Sequence, residues 1–136
     1  MLLETFEKLM VSSQPESILL VERLVEDLCT FLNIKEEIYG NMLIAVTEAV
    51  NNAIHHGNKN NPEKMVTISY DVKPDKIIFH IQDEGNGFDL NRVPDPTSDN
   101  SIPKEGGRGI YIMKKLSDNM EILPPGNKVL LHFNLN

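Results

Sequence analysis

IYGNMLIAVTEAVNNAIHHG, running from Ile38 to Gly57, is the longest helical pattern in the chain. At about 100° per residue, Tyr39, Met42, Val46, Ala49, Val50 and Ala53 share one face, and the pattern predicts that this face is buried. Glu48, Asn52 and His55 fall at spacings of four and three on another face. A carboxylate, an amide and an imidazole then point one way, just before Gly57, a residue suited to end the helix. Asn33 with Glu36 fits a capping box at the helix start. Taken by itself, the polar stripe reads first as a solvated face and second as a site.

The chain around this stretch has 136 residues, the size of one ordinary domain, and we read residues 1–136 as a single domain. That length can bury a core without disulfides. Hydrophobic residues make up 40% and charged residues 24%, the balance of a soluble globular protein. A formal net charge of -7 argues against nucleic acid as a direct partner, and no basic patch offsets it. The single cysteine, Cys29, lies among Leu28, Phe31 and Leu32 and reads as a small buried hydrophobe. It has no internal disulfide partner, which fits an intracellular home. No C-x-x-C or Cys/His cluster points to zinc. No apolar run is long enough for a membrane span and the N-terminus lacks a signal-peptide pattern, so a cytoplasmic location is expected.

From the N-terminus, residues 2–11, LLETFEKLMV, admit an edge strand or a short helix. The punctuation that follows, Ser12, Ser13 and Pro15, favours the strand. Ser13 with Glu16 fits a second capping box, after which Ile18, Val21, Val25, Leu28 and Leu32 recur at helical spacing to an end near Asn33. Beyond the central helix, NKNNPEK, 58–64, is a loop, and MVTISYDV, 65–72, alternates as a half-buried strand. Lys73–Lys76 is a turn, and in IIFHIQD, 77–83, Ile77, Phe79, Ile81 and Asp83 share one face of a second strand. These two strands are expected to pair as a hairpin. FDLNRVPDPTSDNSIPKE, 88–105, shows no period, as lids and binding loops do. GGRGIYIMKKLSD, 106–118, then turns helical behind its glycines. Asn119–Leu123 is a short strand, Pro124–Asn127 a turn, and 128–135 a last strand with Val129, Leu131, Phe133 and Leu135 inward. His132 and His80 are expected on the outward face. This order predicts an α/β domain of the two-layer α+β kind, with a mostly antiparallel sheet.

Asp83 shares a strand face with large hydrophobes, so a carboxylate there needs a partner. It is either a turn residue at the strand end or an acceptor in a pocket floor. Gly85 and Gly87 follow it, and Gly107 and Gly109 stand at the start of the late helix. Glycines let a backbone approach a ligand closely, and helix N-termini attract anions. A flat heterocycle would lie against the strand end with its exocyclic amine on Asp83, phosphates at the N–H groups near Gly107 and Gly109, and a bridging metal on Asn52. Neither a Walker motif nor a G-x-G-x-x-G unit is present. His55 and His56 do not read as a zinc pair, because consecutive helical residues diverge by about 100°.

E-x-x-x-N in a helix ending His-Gly, then D-x-G-x-G, then G-x-G before a helix, resembles the GHKL or Bergerat-type ATPase superfamily. At this size the chain is most similar to the anti-sigma-factor serine/threonine kinases of bacterial partner-switching systems. TEAVNNAIHHG, DEGNGFD and GGRGIYIMKKLSD carry the likeness, which spans roughly residues 5–135. The resemblance implies a Bergerat-type fold, a mostly antiparallel mixed sheet covered by helices with an ATP lid. It implies ATP and Mg2+ as cofactors, with Asn52 as the magnesium ligand and Asp83 on the adenine amino group. Gly85 and Gly87 match the glycines beside the base, and Gly107 and Gly109 those lining the phosphates. Glu48 matches the general base toward a serine or threonine hydroxyl, and Arg108 lies near the phosphates, placed to act on the γ-phosphate or the partner. The final strand, K-V-L-L-H, 128–132, carries no hydroxyl where family members often have a threonine, leaving the base to Asp83 and a water.

The implied function is an ATP-dependent serine/threonine kinase that acts as an anti-sigma factor and phosphorylates an anti-anti-sigma partner of the STAS fold. A sigma factor is the implied second partner, and a homodimer through residues 2–32 is expected from the same resemblance. The alternative is an ATP-binding adaptor that switches partners without efficient phosphoryl transfer. A detached histidine-kinase domain fits less well, because the first histidine is His55 and no phosphoacceptor segment precedes the pocket.

Overall fold

The computed structural model describes residues 8–86 and 107–136. Alternation of apolar residues sets the sheet. Strands β1 (Lys8–Ser12), β2 (Met65–Val72), β3 (Lys76–Gln82), β4 (Asn119–Leu123) and β5 (Lys128–Asn134) form one sheet in the order β1-β2-β3-β5-β4. All four pairings are antiparallel. Register puts like with like on the inner face: Tyr70 opposite Phe79, Phe79 opposite Leu131, and Ile77 opposite Phe133. Phe79 and Phe133 meet edge to face at 6.1 Å between centroids, a favoured aromatic geometry.

Among the described residues, three α-helices cover that face: α1 (Ser17–Leu32), α2 (Glu36–Asn52) and α3 (Gly107–Leu116). The apolar stripe of α2 is buried apart from the half-buried Tyr39, with Met42, Val46 and Val50 fully inaccessible, and this helix forms the middle of the layer between α1 and α3. The two layers give the expected Bergerat-type architecture, a helix layer on an antiparallel sheet. On the opposite sheet face, His80 pairs with Asp71 at 2.8 Å and His132 with Glu121 at 2.7 Å, so both histidines point outward as the alternation predicts. Cys29 is buried as expected, its thiol donating to the Met42 sulfur at 3.6 Å. Burial pushes that thiol up to about 11. Among the described residues, no helix is long and apolar enough to cross a membrane.

Neither capping box forms. Asn33 takes the left-handed conformation, φ 55°, and donates its N–H to the carbonyls of Cys29 and Thr30. It therefore closes α1 instead of opening α2, a role asparagine fills because it tolerates positive φ. The hydroxyl of Ser13 donates to the Lys64 carbonyl at 2.7 Å, so it ties the β1–α1 corner to the start of β2. Ser17, one residue inside α1, instead bonds back to the Ser12 carbonyl at 2.7 Å.

The central helix also ends differently from its pattern. The α-helix stops at Asn52, and Ala53–Gly57 winds as a wider π-helical turn. The N–H of Asn58 reaches the carbonyl of Ala53, five residues back, at 2.8 Å, which is the bond that defines such a turn. His55 consequently leaves the Glu48/Asn52 stripe. It is exposed and its ring Nδ1 pairs with Asn60 Oδ1. The expected lid, 88–105, lies outside the described residues.

Candidate functional site

A cleft opens between the end of α2, the end of β3, the turn before β5, and α3. Ala49, Asn52, Ala53, Ile81, Asp83, Ile110, Met113, Ile122, Gly126, Asn127 and Val129 line it. Its walls are apolar. Its polar groups are few and converge: the Asn52 amide, the Asp83 carboxylate and the Asn127 amide. Among the described residues the enclosed space is narrow, about 10 Å³, so these groups mark a closed-up gap and not an open ligand cavity.

Each polar group is held by backbone. Asn52 is 8% exposed and belongs to the last turn of α2. Gly109, in the first turn of α3, presses against it: a Cβ there would stand 2.8 Å from Asn52 Nδ2. Only a glycine lets α3 come that near the amide. Asp83 follows β3 directly and is 7% exposed. Its Oδ1 accepts the Gly85 N–H at 2.7 Å. Asn127 clamps its backbone from both sides, accepting the Asp83 N–H at 3.0 Å and donating its amide to the Asp83 carbonyl at 3.2 Å. Behind it sits Gly57, where a Cβ would lie 2.7 Å from Asp83 Oδ1.

Desolvation raises the Asp83 pKa above its ordinary value, and the Gly85 N–H and the positive field of Lys64 offset this only in part. Among the described residues the Gly85 N–H is the donor that reaches this carboxylate, and a ligand amine in the cleft would add another.

The sequence-derived residues separate into groups. Asn52 and Asp83 come together on the cleft, with Gly85 against Asp83 and Gly109 against Asn52. Gly107 is the first residue of α3, as the motif places it. Glu48 is half-buried one turn before Asn52 and does not line the cleft, and Arg108 is exposed at the start of α3. Gly87 lies outside the described residues.

Two contributors carried no signal in the motif reading. Asn127 sat in what read only as a turn, and Asn58 in what read only as a polar loop. Their position beside a glycine, Gly126 and Gly57, was the available clue. The apolar wall from Ile110, Met113 and Ile122 was legible as core but not as pocket.

The family model for the histidine kinase-like ATPase domain matches residues 11–133, and the chain belongs to that family. Within it, the chain is similar to proteins named serine-protein kinase RsbW. The Oceanobacillus iheyensis protein is 25% identical over 118 residues, covering 82% of this chain and 75% of the relative. The Bacillus subtilis protein is 28% identical over 120 residues, covering 82% and 74%. A Staphylococcus epidermidis protein reaches 34% over 86 residues, covering 58% and 54%. Among solved structures, the RsbU and RsbW domains of Rv1364c from Mycobacterium tuberculosis share the fold at a TM-score of 0.66 and 11% identity. That match covers 95% of this chain and 31% of the other.

Proposed function

We propose that the cleft binds ATP with Mg2+ and that the chain is a serine/threonine protein kinase of a partner-switching module. In this reading it acts as an anti-sigma factor and phosphorylates a STAS-type anti-anti-sigma protein. The observation that carries the nucleotide reading is Asp83: a buried carboxylate on the wall of an apolar cleft, facing Asn52 across it. The similarity to serine-protein kinases supports the choice of reaction.

The residues fit the ligands. A purine amine would donate to Asp83 while Ile81, Ile122 and Val129 flank the ring. Mg2+ takes oxygen ligands and retains waters, and Asn52 would offer its amide oxygen beside Gly109. Bound there, ATP with Mg2+ brings the transferable phosphoryl group and neutralises part of its charge. The N–H groups at the start of α3, near Gly107 and Gly109, would hold phosphate oxygens, and Arg108 would add a cation. Gly85 and Gly87 would sit beside the base. Glu48 would accept the proton of the partner's hydroxyl, one helical turn from Asn52.

A second reading is an ATP-binding adaptor without efficient transfer. It is favoured by Glu48 lying off the cleft lining and by Val129 lining the cleft on a strand that carries no hydroxyl. Labelled phosphate separates the two. With γ-labelled ATP, Mg2+ and purified STAS proteins from the same cells, a kinase puts label on a partner serine or threonine. ATP binding without label on any of them supports the adaptor.

A further inference from the structure

Asn58 does not line the cleft, yet at 1% exposure it is the most buried polar residue among those described. Its Oδ1 accepts the Glu84 N–H at 2.8 Å. Its Nδ2 donates to the Met65 carbonyl at 3.0 Å and to the Ser13 hydroxyl oxygen at 2.9 Å. Its backbone N–H closes the π-helical turn on Ala53. One side chain therefore joins the end of the central helix, the β1–α1 corner, the start of β2 and the loop after β3.

The orientation of the amide is determined by its neighbours. The Ser13 hydroxyl proton is committed to the Lys64 carbonyl, so that oxygen is left to accept. The Met65 carbonyl can only accept. Both call for the NH2 end, which leaves Oδ1 facing Glu84.

Glu84 stands between Asp83 and Gly85. Holding its N–H fixes the peptide plane that joins Asp83 to Glu84, and so the direction in which the Asp83 side chain leaves the chain. The Gly85 N–H then reaches Asp83 Oδ1, and Gly57, the residue before Asn58, closes the space behind the carboxylate.

We propose that Asn58 is a positioning residue for base recognition, its side-chain oxygen setting the Asp83 carboxylate at the angle that accepts a purine exocyclic amine. The inference rests on the reading of Asp83 as the amine's acceptor. A packing role alone would change affinity for every nucleotide equally, whereas a positioning role changes the choice between purines.

The test compares ATP with ITP, which carries a carbonyl in place of the amine. Dissociation constants are measured with Mg2+ on the full chain. The wild-type protein should favour ATP by about tenfold or more, since a site built to pair a buried polar group rejects a ligand lacking it. Asn58→Ala should reduce that preference to within about threefold. Equal weakening of both nucleotides, with the preference intact, would overturn the proposal. If Asn58→Ala does not melt cooperatively, Ser13→Ala carries the test, because it frees the amide to tip away from Glu84. Its preference should fall by roughly threefold, and an unchanged preference would overturn the proposal. A wild-type protein that binds ATP and ITP alike overturns the Asp83 assignment itself, and Asn58 with it.

Discussion

Gly57 and Asp83 are in direct contact: the last residue of the π-helical turn abuts the carboxylate at the end of β3, with no room between them for a methyl group. The end of the central helix and the strand-end carboxylate are thereby one unit. A Cβ on Gly57 would overlap the Asp83 side chain and come within 2.7 Å of its Oδ1. Gly57→Ala should therefore cost about 1–3 kcal/mol of stability by overpacking. It should also weaken ATP binding, because the group displaced is the carboxylate. Denaturant unfolding and nucleotide titration of the same variant check both effects.

Asp83 gives a prediction with a pH signature. Desolvation raises its pKa in the folded state above the ordinary 3.8. An acid with a raised folded pKa binds more protons native than unfolded, so its contribution to stability falls as pH rises above 3.8 toward the folded value. Asp83→Asn keeps the shape and the acceptor for the Gly85 N–H but removes the desolvated charge. The variant should melt higher than wild type at neutral pH, with the advantage shrinking as pH falls through the raised folded value toward 3.8. It should also lose ATP binding. Scanning calorimetry at pH 7 and pH 3.5 reads the first effect. Greater stability with lost binding would mark a group kept for function at a cost in stability.

Glu48 and Asn52 are assigned different duties, and their variants should separate them. Asn52→Ala should weaken Mg2+-dependent ATP binding by roughly 10- to 100-fold, the range for groups that hold or support a metal. Glu48→Ala should leave ATP affinity within about twofold and slow phosphoryl transfer by roughly 100- to 10,000-fold. Binding lost and transfer retained in Glu48→Ala would mean that the roles are wrongly assigned.

Cys29 should be inert in the native state. It is 5% exposed, and its pKa is pushed up to about 11. At pH 8 only about one thiol in a thousand is ionised, and the thiolate is the reactive form. Iodoacetamide should modify it only as fast as the protein unfolds. Rapid labelling of the folded chain would place Cys29 at a more open surface between α1 and α2.

Periodicity made most of this fold readable. The inward residues of β2, β3 and β5 and the apolar stripe of α2 follow from spacing alone, because burial of one face selects one period. Of the motif residues, Asn52 and Asp83 line one cleft and Gly109 packs against Asn52. What escaped was set by tertiary contacts. Asn33 and Ser13 matched capping boxes, but each found a better partner in space, Asn33 in the carbonyls of Cys29 and Thr30 and Ser13 in Lys64. The π-helical turn follows from the bond between Asn58 and Ala53 and the demands on the Asn58 side chain, and no local pattern announces it. His55 left the polar stripe for the same reason. Asn127 and Asn58 act across 44 and 26 residues of sequence, a distance over which spacing carries no information.

The account depends most on the cleft being a site for ATP with Mg2+, held by Asp83 at one end and Asn52 at the other. Calorimetric titration of ATP into the wild-type chain, Asp83→Ala and Asn52→Ala, each with and without Mg2+, tests that directly. Wild type should bind ATP and bind it more tightly with Mg2+. Asp83→Ala should lose roughly tenfold or more under both conditions, and Asn52→Ala should lose the response to Mg2+. No binding by the wild type, or equal binding by all three proteins, would contradict the account.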